Sequence, residues 1–168
     1  GKSFRFFGDG FLRGSGVNRD ELKPEGGPKP LILHVSADFP DPIEAAKTKV
    51  IRTLLDLTVD RFRHRVISIN RQSPAPAALL GSVVRGLGTP KLETQTQPFE
   101  WGEALIYRAP GRGLYHKAML VQLGDRIAES IAAGEKPDLI VAHKLTVEGI
   151  AVMQAARKLG LPYAVTIQ

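Results

Sequence analysis

Dense aliphatic runs, regularly separated by longer mixed segments, constrain this chain more than any other feature. They read Leu31–Ser36 (LILHVS), Arg65–Asn70 (RVISIN), Asp138–Ala142 (DLIVA) and Pro162–Ile167 (PYAVTI). A short, continuous apolar run suits a strand covered on both faces. The intervening segments carry helical spacing. From Ile43 to about Asp60, Val50, Leu54, Leu57 and Val59 recur among Lys and Arg, which predicts a helix. Leu120, Leu123, Ile127 and Ile131 recur at steps of three and four within a helix expected over Leu114–Ala133, with Gly134 as its C-cap. A further helix is expected over Thr146–Leu159, ended by Gly160.

Strands alternating with helices predict an α/β fold: a doubly wound parallel sheet, Rossmann-like, covered on both faces. Gln97–Trp101 and Ala104–Ala109 flank Gly102-Glu103 and read as a hairpin or a strand approach. The stretch from Arg71 to Thr96 is rich in Pro, Gly, Ser and Ala, with one short helix expected around Ala77–Arg85. Residues 1–30 are rich in Gly and charge but hold Phe4, Phe6, Phe7 and Phe11. They read as an extension, flexible or packed on the domain, ahead of a folded unit spanning residues 31–168. No charged segment followed by an apolar one opens the sequence as a signal peptide would.

In sheets of this kind ligands bind beyond the carboxyl ends of the strands. Candidate loops are therefore Ala37–Pro42, Asn70–Ser73, Pro110–Gly113 and His143–Thr146. The glycines around Arg112 follow a strand and precede a helix, so amides and guanidinium are expected to converge there on an anion. The Arg61–Arg65 stretch reads as a solvated helix end.

Composition and motifs exclude several chemistries. The chain has no cysteine, hence no disulfide scaffold, thiolate metal site or cysteine nucleophile. No Gly-x-Gly-x-x-Gly follows the first strand, where Ala37-Asp-Phe-Pro-Asp-Pro42 stands instead. Gly8-Asp-Gly10 precedes that strand, the wrong context for a dinucleotide. Neither a phosphate-binding Gly-Lys-Ser/Thr loop nor a serine-nucleophile elbow occurs, and His34, His64, His116 and His143 lack metal-ligand spacing. A net charge of +6 and a pI near 9.8 favour anionic partners. Scattered cations and 7% aromatics argue against nucleic acid. The expected compartment is cytoplasmic, with peripheral contact to an anionic membrane face compatible with the charge.

The C-terminal third carries a more specific pattern. Lys136-Pro-Asp-Leu-Ile-Val-Ala-His143, followed by Ala155-Ala-Arg-Lys-Leu-Gly-Leu-Pro-Tyr-Ala-Val-Thr-Ile-Gln168, resembles family-4 glycosyltransferases of the GT-B type. Ser36 through Phe39-Pro40 is similar to that family's first loop, and Trp101–Pro110 to its third-strand region. The resemblance covers about Leu31–Gln168. It implies the N-terminal, acceptor-side half of an enzyme that transfers a sugar from a nucleotide sugar to a carbohydrate or lipid-linked acceptor. A second domain would hold the donor through a pair of glutamates, and no metal or other cofactor is implied.

The resemblance places His143 on the strand-end histidine near the transferred sugar, where it would donate a hydrogen bond. Asp38, Phe39, Pro40, Ile43, Glu44, Arg112, Lys144 and Thr146 would line the cleft, with Asp38 the nearest carboxylate to His143 and Thr146 able to cap the following helix. Where the family usually has Gly-Gly after Phe-Pro, this chain reads Asp41-Pro-Ile-Glu-Ala-Ala46, and Glu44 would oppose a phosphate. The alternative expectation is a non-catalytic Rossmann-like binding or regulatory module.

Overall fold

A computed structural model describes residues 27–73, 91–109 and 114–166. The expected helix at Ala77–Arg85, the loop holding Arg112 and the N-terminal phenylalanines lie outside these residues. In chain order the elements are β1 (Leu31–Ser36), α1 (Val50–Asp56), β2 (Arg63–Gln72), β3 (Glu93–Phe99), β4 (Gly102–Arg108), α2 (Leu114–Ala132), β5 (Leu139–Ala142), α3 (Val147–Leu159) and β6 (Tyr163–Val165). The strands form one six-stranded sheet in the order β3-β4-β2-β1-β5-β6. Every pairing is parallel except β3 with β4. This is an α/β fold compatible with a Rossmann-like domain. The expected wholly parallel sheet is corrected to a mixed one with an antiparallel edge.

Side-chain alternation divides the core. Leu33, Val35, Ile67, Ile69 and Ile140 pack with α2 and α3, where Leu120, Leu123, Ile127 and Ile131 are all buried as their spacing predicts. Val66 points the other way and packs with Phe39, Ile51 and Leu55, flanked by Phe99 and Trp101. The helices α2 and α3 meet at Gly124. A Cβ there would stand 2.6 Å from the Ala151 carbonyl oxygen and 2.6 Å from Gln154 Cβ. Gly124→Ala is therefore expected to destabilise the fold by roughly 1–3 kcal/mol despite alanine's better helix propensity. Urea denaturation checks this, and a stabilised variant would refute the close approach.

Several boundaries differ from expectation. The helix expected from Ile43 to Asp60 is only seven residues long. Asp41 Oδ1 accepts the amides of Ile43 (2.8 Å) and Glu44 (2.9 Å), which turns the chain before a helix can start. The side chain of Lys47 is drawn towards the sheet, so the helix begins beyond it. Its buried face is Ile51 and Leu55, whereas Val50, Leu54, Leu57 and Val59 are exposed.

The Arg61–Arg65 stretch is no helix end, because β2 begins at Arg63. Arg63 pairs with Glu135, and Arg65 reaches Glu103 and Ser130. The hairpin is present, with β3 beginning at Glu93 and Phe99 paired to Gly102. Gly102 has φ +146°, and a Cβ there would strike the Val66 carbonyl oxygen at 2.2 Å. Gly160 caps α3 in the left-handed conformation as expected. Gly134 does not adopt it; lacking a Cβ, it leaves room for the Arg65 guanidinium.

Candidate functional site

The chain runs from β1 to β2 on one side of β1, then crosses after β4 to β5 on the other. The carboxyl ends of β1 and β5 therefore stand where the strand order changes direction, the place beyond which open α/β sheets bind their ligands. His143 follows β5 directly and is buried, its amide donating to the Val35 carbonyl at the end of β1 (3.2 Å). Lys144 and Asp38, from the two strand ends, form an ion pair at 2.6 Å. The Asp38 carboxylate raises the Lys144 ammonium above the usual lysine value. Ser36 Oγ accepts the Asp38 amide (3.0 Å), and buried Glu148 accepts the Ala37 amide (3.0 Å). The first loop is thus tied to both β1 and α3.

A second tie holds the loop to β2. The buried Asp41 Oδ2 accepts from Lys47 Nζ (2.8 Å) and Asn70 Nδ2 (2.9 Å), and Ser68 Oγ donates to it as well. Lys47 Nζ also reaches Asn70 Oδ1 (2.6 Å) and Ser68 Oγ (3.2 Å), so its three protons have three acceptors. Burial pushes the Asp41 carboxyl up, but its hydrogen bonds to Lys47, Ser68, Asn70 and the Glu44 amide outweigh this and hold it at about 2. Beside this network an open cleft of about 250 Å³ is lined by Ala37, Ile43, Glu44, Arg71 and Gln72 among others. A larger hollow of about 490 Å³ lies at the β3–β4 edge around Leu92, Thr94 and Ile106 and holds none of the strand-end groups. Comparison with protein-family models, curated proteins and solved structures finds no match to this chain.

The structure brings together Asp38, Lys144 and His143, and it sets Ile43 and Glu44 on the neighbouring cleft. Two expectations are corrected. Phe39 is fully buried against Ile51, Leu55, Val66, Phe99 and Trp101, so it anchors the loop from below and lines no cleft. Thr146 stands at the N-cap of α3, but its exposed side chain makes no capping bond. Pro40 is half-buried on the same loop, and Arg112 lies outside the described residues.

The His143 ring is hydrogen-bonded to His34, whose Nδ1 lies 3.0 Å from His143 Nε2, and Asp38 acts on it as the neighbouring charge. His34 Nε2 in turn lies 3.1 Å from His64 Nδ1, and His64 Nε2 lies 3.0 Å from Thr58 Oγ1. Burial, with the neighbouring imidazoles of His143 and His64, lowers His34 to about 3. Burial lowers His143 to about 4 against the opposing pull of Asp38, and also lowers His64. The values of His34 and His143 keep both rings neutral at pH 7, and the shift of His64 favours its neutral form in the same direction. Among the described residues no group of three or more His, Cys, Asp or Glu is arranged to hold a metal ion, and no helix is long and apolar enough to cross a membrane.

Sequence reasoning missed His34, His64, Asp41, Lys47, Ser68, Asn70 and Glu148. A signal for four of them was present. His34 alternates with Ser36 in β1, and His64, Ser68 and Asn70 fall on alternate positions of β2, so each strand carries polar groups on the face that the apolar reading passed over.

Proposed function

We propose that this chain is the acceptor-side half of a GT-B glycosyltransferase, a doubly wound Rossmann-like domain whose strand-end crevice receives a sugar hydroxyl. The observation carrying this reading is the convergence of His143, Asp38 and Lys144 where the strand order changes direction. A neutral imidazole beside a carboxylate–ammonium pair offers donors and acceptors without strong net charge, which suits a polyol better than a polyphosphate. The Pro-Asp-(apolar)-(apolar)-x-Ala-His motif ending at His143 and the Ala-Arg-x-Leu-Gly-(apolar)-Pro motif that closes α3 give the same direction from the sequence. The nucleotide sugar would be held by a second domain, so a reaction between two substrates needs both halves to place them within near-attack distance.

The test has two parts. The 168-residue chain is expected to transfer no sugar by itself, but to bind neutral saccharide acceptors with shifts in the amide resonances of Ala37, Asp38, His143 and Lys144. With the donor-binding domain joined, His143→Ala is expected to lower kcat by ten-fold or more with little change in donor KM. Saturable transfer by the chain alone would overturn the proposal. Shifts produced by a regulatory nucleotide, but by no saccharide, would favour a binding module instead.

A further inference from the structure

Three histidines and a threonine form one continuous hydrogen-bonded row beneath α1, and the proton order within it can be read from its far end. Thr58 Oγ1 faces the carbonyl oxygens of Leu54 (2.8 Å) and Leu55 (3.2 Å). A carbonyl only accepts, so the single hydroxyl proton points there and the oxygen lone pair is left for His64. His64 therefore carries its proton on Nε2 and accepts at Nδ1. His34 must then donate from Nε2 and accept at Nδ1, and His143 must donate from Nε2. Five of the six ring nitrogens are engaged in this way. The sixth, Nδ1 of His143, has no protein partner among the described residues and carries a lone pair.

The row does not conduct protons to solvent, because it ends on backbone carbonyls that cannot take one. Its effect is on tautomer. A proton added to His34 or His64 would set N–H against N–H, whereas His143 Nδ1 can take one without breaking a bond of the row.

We propose that His34, His64 and Thr58 are positioning residues that hold His143 as its Nε2–H tautomer, with Nδ1 presented as acceptor to a hydroxyl-bearing ligand in the crevice. The role first expected for His143, donation to a sugar oxygen, is thereby reversed into acceptance of a sugar hydroxyl. The ligand class rests on the sugar-transfer reading; the tautomer itself does not.

Imidazole 15N–1H correlation spectra of the full chain at pH 7 test this directly. Wild-type His143 is expected in one tautomer, protonated on Nε2. His64→Leu removes the acceptor of His34 Nε2–H, and Thr58→Val removes the acceptor at the end of the row without touching His34 or His143. Each is expected to shift His143 into a mixture containing the Nδ1–H form. His64→Gln, whose amide can accept from His34 and donate to Thr58, is expected to restore the single form. Should His64→Leu fail to fold, Thr58→Val carries the test, since threonine and valine have nearly the same shape. Wild-type His143 protonated on Nδ1, or an unchanged tautomer in the folded variants, would overturn the proposal. A crevice that binds no saccharide while the tautomers behave as expected would overturn the sugar-transfer reading alone.

Discussion

Acidification from pH 7 to about pH 4 is expected to weaken the fold by on the order of 5 kcal/mol, enough to unfold a domain of ordinary stability. The reason is the buried histidine row. In the unfolded chain His34 and His143 take up protons near the free histidine value of 6.5; in the folded protein they refuse them until about 3 and about 4. Across that window the unfolded state binds more protons, so stability is full above the unfolded value and falls as the pH drops towards the folded ones. Each group contributes roughly 1.4 kcal/mol per pH unit between its two values. Asp41, held at about 2 against an ordinary 3.8, adds a second loss in the same direction at still lower pH. Urea denaturation at a series of pH values checks this. His34→Gln should flatten the upper part of the curve, and a wild-type stability unchanged between pH 7 and pH 4 would refute the neutral buried row.

Replacing Lys47 by Met should cost about 3–5 kcal/mol, because it leaves the Asp41 carboxylate buried without its cation. The side chains of this pair are 7% and 0% exposed, so water cannot substitute for the ammonium. The loss concerns pairing more than volume, since Met has much the same length as the stem of lysine. Asp41→Asn in the Lys47→Met background should recover most of it. The asparagine oxygen can still accept the amides of Ile43 and Glu44, and Asn70 can turn its amide to complement the new one. Lys47→Met alone within 1 kcal/mol of wild type, by equilibrium denaturation, would show the ammonium to be dispensable.

The parts of this fold that were legible beforehand are those governed by local patterns. The strands β1, β2, β5 and β6 announced themselves as aliphatic runs, α2 through the spacing of Leu120, Leu123, Ile127 and Ile131, and the end of α3 through Gly160. What was not legible depends on residues distant in sequence. The start of α1 is displaced because Asp41 and Lys47 bond to Ser68 and Asn70, which a local helical pattern cannot register. Val50, Leu54 and Leu57 fit a helical period yet face solvent, because Phe39 draws Ile51 and Leu55 inward instead. The strand-end position of His143 followed from the run before it, but its partner did not. His34 looked like one polar interruption in an apolar strand until β1, β2 and β5 were placed side by side, with His34 opposite Val66 and Val141.

The fastening of the first loop has a consequence for recognition. Asp41 and Lys47 hold it to β2, Glu148 holds it to α3, and Phe39 fills the space beneath it. A wall ordered before any ligand arrives would surrender little conformational freedom on contact, so under the sugar-transfer proposal selectivity there would depend on shape rather than on closure. Molecules differing by one hydroxyl would be told apart by whether that hydroxyl meets a fixed partner, since a rigid neighbour cannot move to accommodate its loss.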